Sequence, residues 1–517
     1  MNIRLLKEEY LDKRKDLEAS FQRSGDSLAF LENHTSLLDR MVRELAHDHL
    51  SEDFAVIALG GFGRRQMLPF SDVDLLIVHE CPDPAAVHGL VTPFVTALWD
   101  LISDLGHQVW SYSDLAGLDP SEHYEFVLAL CDGRFLAGNR ELASRVLETA
   151  FPDIFLGNRS FFLETVHAEV EKRYRRQKFT IFQLEPDVKE SPGGLRDHLA
   201  AAWMEKLIGE PPFSKHSADD LKTAHEFMLG LRIRLHLLAG RNDNKLSISR
   251  QEKISFTLSP IDGEPASQQE IREAIEAFMK QYYINARILN DRCRTMLDLT
   301  RPGPRPRELE ISDLDQPISF ESVLEVFARA SEEGVSLSYQ LKELIASELP
   351  GLKTEGVGPE LKPLLFRLLH PSRGMSALLR DMYDLGILEM VFPEFSEIKA
   401  RFCWDYYHRY TVDEHTILAL RNVERLAPPK EGVSDSDPSD RRFASLLEES
   451  SNPVLINLAL LYHDIGKGME GDHSVIGSEL AEEAMKRIGL TSQERGEVSF
   501  LIRHHLAMST VVFHRDH

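Results

Sequence analysis

The sequence has little cysteine and no apolar run long enough to cross a bilayer. Its four cysteines, Cys81, Cys131, Cys293 and Cys403, lie far apart and form no C-x-x-C pair. That argues against a disulfide framework and a cysteine zinc site, and suits a reducing cytoplasm. The N-terminus, MNIRLLKEEYLDKRKDLEAS, is charged and helical in pattern, without the apolar core of a secretory leader. Positive charge is also scarce: 59 Lys and Arg face 83 Asp and Glu, a formal net charge of −24. Such a surface repels nucleic acid, so a polynucleotide is a poor first choice of substrate. Neither nucleic acid nor membrane is expected as a partner. What remains is a chain of 517 residues, 43% apolar, too long for one core. About three domains are expected from that length.

The stretch around which the chain is organised is FAVIALGGFGRRQMLPFSDVDLLIV. Phe54–Leu59 reads as a buried strand. Gly60, Gly61 and Gly63 break it, and glycine there lets backbone N–H groups approach an anion. Arg64 and Arg65 follow. After Ser71 a second strand begins at Asp72 and runs to Val78. Side chains alternate along a strand, so Asp72 and Asp74 share one face. Paired carboxylates behind a glycine turn suit Mg²⁺ held between protein and nucleotide phosphates. Either piece alone is ordinary. Together they resemble the Gly-Gly…Asp-x-Asp signature of the nucleotidyltransferase superfamily. Gly60, Gly61, Gly63, Arg64 and Ser71 are then the expected nucleotide-binding residues.

Apolar residues at helical spacing over 1–50 predict helices packed on this sheet. Residues 85–105 read as a helix that Gly106 stops, and His107–Tyr112 as a third strand. The superfamily often carries a third acid, and that strand holds none. Asp132, in LCDGRFLAGN, is the candidate; a plain helix-end or turn aspartate explains it about as well. From 150 to 330 the chain reads as helical. EKRYRRQKF (171–179) is a basic patch, either a solvated helix face or a guide for phosphates or an acidic partner. In LEPDVKESPGGLRDHLAAAW (184–203) a capping turn would explain the glycines. RPGPRPRELEISDLDQP (301–317) reads as a linker, 318–348 and 360–388 as helices, and 428–450 as a flexible surface loop.

The C-terminal region gathers histidines: YTVDEHT with His415, LLYHDIGK with His463 and Asp464, GDHSVIG with His473, LIRHH with His504 and His505, then Asp516. His463-Asp464 ends an apolar helical stretch, where a charged pair is costly unless a metal or hydrogen bonds satisfy it. The set resembles the HD phosphohydrolase superfamily, an all-helical fold. The resemblance implies His415, His463, Asp464 and Asp516 as ligands of a first metal. It implies His473 and His504 for a second metal or the phosphate, with His505 exchangeable for His504. Mixed imidazole and carboxylate donors suit Mn²⁺, Fe²⁺, Zn²⁺ or, less well, Mg²⁺.

Both halves, with LEPDVKESPGGLRD, LHLLAGRNDNKL, FMKQYY and YHRYTVDEHT between and around them, closely resemble the bifunctional uridylyltransferase/uridylyl-removing family of bacterial nitrogen control. The resemblance covers about 50 to 517. It implies an α+β protein: a mixed nucleotidyltransferase-fold sheet with helices (1–150), a helical middle domain (151–330), a helical connection (331–400) and an all-helical HD domain (401–517). It implies UTP and the PII signal protein as substrates, a PII tyrosine uridylylated with loss of pyrophosphate, and hydrolytic removal of the UMP. Mg²⁺ would serve Asp72 and Asp74. Family members usually continue into ACT domains that sense glutamine; the expectation is a truncated chain, with glutamine a regulator only where those domains are present. Two other readings compete. A tRNA nucleotidyltransferase-type polymerase with an HD domain would want a basic groove, against the net charge. A non-catalytic nucleotide-binding regulator would not need intact Asp72/Asp74 and His-Asp sets.

Overall fold

Two apolar strands carry the N-terminal sheet. Phe54–Ala58 (β1) and Val73–His79 (β2) pair antiparallel, with Leu105–Ser111 (β3) parallel to β2 and Arg134–Gly138 (β4) antiparallel to β1, in the order β3-β2-β1-β4. The computed structural model describes residues 3–102, 104–177, 180–209, 218–258, 267–301, 303, 307–352, 358–372, 374–399, 401, 411–427, 438–467, 469 and 471–507. Alternation sends side chains of β1 and β2 into two cores. Val56, Ala58, Leu75 and Ile77 pack with Leu38, Met41, Val42 and Leu45 of the Ser27–His49 helix and with Phe94 and Leu98 of the Pro84–Leu101 helix. Ala55, Ile57, Leu76 and Val78 pack on the other face with Phe155, Phe162, Val166 and Met204. Burial on both faces explains why these strands read as continuous apolar runs.

Several boundaries differ from the sequence reading. The helix expected over 85–105 ends at Leu101, and Gly106 lies inside β3 rather than stopping a helix. Asp72 sits just ahead of β2, not within it. β4 was not foreseen: RFLAG is short and follows a helix, so its periodicity is weak.

The middle of the chain is helical as expected: Arg159–Arg176, Leu195–Ile208, Ala218–Ala239, Ile248–Leu258 and Gln268–Leu299. Its polar centre is Asp197, fully buried. Asp197 Oδ1 accepts from Arg173 Nη2 at 2.6 Å; Oδ2 accepts from Tyr174 Oη at 2.7 Å, Gly193 N at 2.7 Å and Asn290 Nδ2 at 3.0 Å. One carboxylate thus ties two helices to the Pro-Gly-Gly turn. The basic patch over 171–179 is therefore partly internal, with Arg173 turned inward and Arg175 paired outside with Glu171.

Beyond it, one apolar core runs from Leu309 to Ile502. The expected linker contributes Leu309 and Leu314 to that core, and residues 331–400 share it with the C-terminal helices. Among the described residues this core continues on both sides of the boundary expected at 400. Of the loop expected over 428–450, residues 438–448 form a helix, and 428–437 lie outside the described residues.

Asp197→Ala leaves a buried guanidinium without its carboxylate and should destabilise the fold by about 3–5 kcal/mol. Urea unfolding followed by intrinsic fluorescence measures it. A loss below about 1 kcal/mol, the scale of a surface pair, would show the network to be incidental.

Candidate active sites

The first site forms where β1 ends and β2 begins. Gly60–Gly63 make a single helical turn directly after β1, with Gly60 at φ +50°. Leu59 N donates to Asp74 O at 3.0 Å, so turn and acid are adjacent. A side chain at Gly60 would start 3.8 Å from Asp74 Oδ2. Asp72 and Asp74 both reach solvent at this edge, the Asp74 carboxyl itself partly enclosed over Gly106 and the glycine turn, and Ser71 stands in the loop before them. Burial, then the charge of Asp72, raise the Asp74 carboxyl above its ordinary value, partly opposed by Lys189. A carboxylate whose charge is disfavoured beside a second carboxylate makes a fitting site for a divalent cation.

Gly106 has a clear role here. In the β2–β3 register it stands opposite Asp74, and a Cβ on it would lie 2.3 Å from Asp74 Oδ1. The missing side chain is what leaves room for the carboxylate over β3.

Asp132 is placed differently from Asp72 and Asp74. Its carboxylate pairs with Arg64, and Lys206 Nζ lies 3.8 Å from its other oxygen. Its carbonyl packs so tightly under Gly63 that a Cβ there would sit 1.9 Å away. Asp132 thus braces the glycine turn and neutralises Arg64. Arg65, at φ +59°, turns away to Glu32 and Asp39.

The second site is built from helix ends. The apolar Val454–Tyr462 helix finishes at His463-Asp464. His415 comes from the first turns of Val412–Leu426, His473 opens His473–Arg487, and His505 follows the end of Ser492–Arg503. Asp464 is at the centre. Its Oδ2 is 3.3 Å from His463 Nε2, 3.6 Å from His415 Nε2 and 2.6 Å from Lys467 Nζ. Its Oδ1 is 3.8 Å from His473 Nε2 and 3.7 Å from His505 Nε2. Burial opposes its charge, but His463 and Lys467 outweigh that and hold the carboxyl well below the usual range.

The donor set fits metal. His415, His463 and Asp464 offer three ligand atoms within 4.8 Å of one another, and Asp464, His473 and His505 offer another such group. His463 Nδ1 lies 2.7 Å from Leu460 O, and His505 Nδ1 lies 2.7 Å from Ile502 O. A carbonyl at Nδ1 fixes the proton there and leaves Nε2 as a lone pair facing inward. His473 Nε2 is buried and makes no hydrogen bond, an expensive arrangement unless it coordinates. Burial also lowers the His505 pKa, keeping the ring neutral for ligation.

His504 is not part of this cluster. Adjacent residues leaving a helix point in different directions, and His504 is exposed, its ring 4.7 Å from Phe500. His505 takes the position, as the alternative reading allowed. Asp516 lies outside the described residues. Lys467 was passed over in the sequence, although HDIGK places it one turn after Asp464.

His505→Ala should weaken Mn²⁺ or Zn²⁺ binding by at least about 10–100-fold, the cost of disturbing even an outer partner of a ligand. His504→Ala should leave it unchanged. Calorimetric metal titration distinguishes them, and the opposite pattern would refute the placement.

Two family profiles match parts of the chain, one between the two sites and one over the histidine cluster. The GlnD PII-uridylyltransferase family profile matches residues 161–297, and the HD domain profile matches 412–511. The chain is 29% identical to the bifunctional uridylyltransferase/uridylyl-removing enzyme of Cereibacter sphaeroides, over 91% of this chain and 53% of that protein. The enzymes of the same name from Azospirillum brasilense and Nitrosospira multiformis are 27% and 28% identical, over 98% and 99% of this chain and 58% and 60% of theirs. The chain therefore spans little more than half the length of the curated relatives it matches.

Proposed function

We propose that this chain, which carries the GlnD PII-uridylyltransferase region and an HD domain, both adds UMP to a tyrosine of a PII signal protein and removes it. The observation that carries the reading is the presence of two unlike charge clusters on one chain. One is a carboxylate pair beside a glycine turn; the other is a carboxylate ringed by four imidazoles and a lysine.

In the first reaction the tyrosine oxygen bonds to the α-phosphorus of UTP, the bond to the bridging oxygen breaks, and pyrophosphate leaves with the electron pair. The phenolic proton passes to solvent. Asp72 and Asp74 would hold Mg²⁺, which offsets charge between nucleophile and triphosphate. The Gly60–Gly63 turn orients the phosphates, and Asp132 keeps Arg64 and the turn in place. Catalysis here is positioning and charge neutralisation.

In the second reaction a water oxygen bonds to phosphorus, the tyrosine–phosphorus bond breaks, and the phenol regains a proton as UMP departs. His415, His463, Asp464, His473 and His505 would hold divalent metal, which lowers the pKa of water and offsets phosphodiester charge. Lys467 fixes Asp464, and the backbone carbonyls at Leu460 and Ile502 fix the imidazole tautomers.

The acidic surface supports a protein acceptor over a polynucleotide. No helix among the described residues is long and apolar enough to cross a membrane. A cytoplasmic setting, where UTP is found, suits this reading. Glutamine would set the balance only in a chain that carries the ACT domains.

Asp74→Asn should cut UMP transfer to PII by about 10²–10³-fold, the scale of losing one preorganised transition-state contact, while leaving UMP removal intact. His463→Ala should do the reverse. Quantifying UMP transferred and released for each variant tests it. Loss of both activities in both variants would mean that the two sites do not act separately.

A further inference from the structure

The Pro-Gly-Gly turn read from sequence as a simple cap carries a concentration of positive charge to the transferase edge. The turn itself is rigid. Asp187 Oδ1 accepts from Lys189 N at 2.9 Å and from Glu190 N at 2.8 Å. Gly193, at φ +76°, packs so close to Ala286 O that a Cβ would lie 2.3 Å from it, and its N–H is held by Asp197. Arg196 N donates to Lys189 O at 3.0 Å, and Val188 N to Asn244 O at 3.0 Å. Asn244 Oδ1 in turn accepts from Arg232 Nε at 2.6 Å. Lys189, Arg196 and Arg232 thus belong to one hydrogen-bonded unit.

That unit packs on the segment leading into Asp72. Leu68 shares a core with Leu229 and Ile233, with Leu195 against it. The Phe70 ring is 6.5 Å from His236, whose Nε2 lies 3.2 Å from Asn244 Oδ1. Lys189 is the cation left least committed: its side chain is one-third exposed, and its ion-pair contact is with Glu190 at 4.0 Å. Burial and the charges of Arg196 and Arg232 depress its pKa, while Glu190 and Asp72 oppose them. Arg232 is lowered to about 10 by burial, with Arg196 and Arg64 acting in the same direction. Close by, His198 and His225 stack at 4.0 Å, and burial lowers both pKa values, His225 to about 4, with Arg64 and Arg292 also opposing their protonation. Cations crowded together against burial are relieved by a bound polyanion. In a chain of net charge −24, such a focus marks where phosphates would sit.

We propose that Lys189, backed by Arg196 and Arg232, binds the β,γ-phosphates of the nucleoside triphosphate across from Asp72 and Asp74, so that the middle domain completes the transferase site. This rests on the transferase reading above. As the bond between the α-phosphorus and the bridging oxygen breaks, the electron pair goes to pyrophosphate. The Lys189 ammonium faces that growing charge and keeps its proton.

The test is calorimetric titration of the full chain with α,β-methylene-UTP and with UMP, each with Mg²⁺, for wild type, Lys189→Ala and Lys189→Arg. Lys189→Ala should weaken the triphosphate analogue by about tenfold or more, the loss of one charge-assisted bond. UMP affinity should hardly change, and Lys189→Arg should recover most of the analogue's binding. Equal weakening of both ligands, or of neither, would overturn the proposal. If Lys189→Ala unfolds, shown by its urea midpoint, Arg196→Gln carries the same comparison from a more exposed neighbour. Wild type binding neither ligand would overturn the transferase reading itself, and this inference with it.

Discussion

A single buried carboxylate, Asp197, sets the geometry on which both sites depend. Its four hydrogen bonds clamp the Arg159–Arg176 helix, the Pro-Gly-Gly turn and the Gln268–Leu299 helix together. A buried charge is tolerated only when so fully satisfied, and it then tolerates little change in its surroundings. On one side the clamped turn packs, through Leu195, on the core that holds Leu68 in the segment leading into Asp72. On the other, the long helix presents Arg287 over the Tyr383 ring at 4.6 Å, and Tyr383 donates to Asp413. Glu414, the next residue, pairs with Arg380 and accepts from Thr180 Oγ1 at 3.3 Å. Asp413 and Glu414 thus anchor the start of the helix whose following residue is His415. The region matching the PII-uridylyltransferase family, 161–297, is the part that bridges the two centres.

The two acids that define the sites live in opposite electrostatic settings. Asp74 is pushed toward neutrality by burial and by Asp72. A divalent cation beside it would relieve that cost. Asp464 keeps its charge because imidazoles and Lys467 surround it before any metal binds. Two of the surrounding imidazoles, His463 and His505, are fixed by backbone carbonyls at the ends of helices, an arrangement that would orient them for a metal. The two proposed reactions would thus place different demands on their carboxylates, which stand against separate cores.

Much of this was legible in the sequence. The strand, glycine turn and Asp-x-Asp are contiguous, so local periodicity and spacing reveal them. His463-Asp464 stood out because charge at the end of an apolar helix needs a reason. What was hidden depends on contacts distant in sequence. Gly106 looked like a helix stop, and only the parallel β2–β3 register shows Asp74 lying over it. His504 and His505 are neighbours, and the direction in which the helix ends decides between them. Lys189 lies in a turn whose glycines already have a conformational explanation, and the charge of Asp72 reaches it only through the fold. Asp132 is by sequence a candidate third acid because the third strand holds none; the fold pairs it with Arg64.

The most direct measurement is the intact mass of a PII protein incubated with this chain, UTP and Mg²⁺, then freed of UTP and given Mn²⁺. Two opposed sites on one chain predict a gain of one UMP per PII subunit, followed by its loss. No gain with UTP, but nucleotide addition to an RNA 3′ end under the same conditions, would contradict the account.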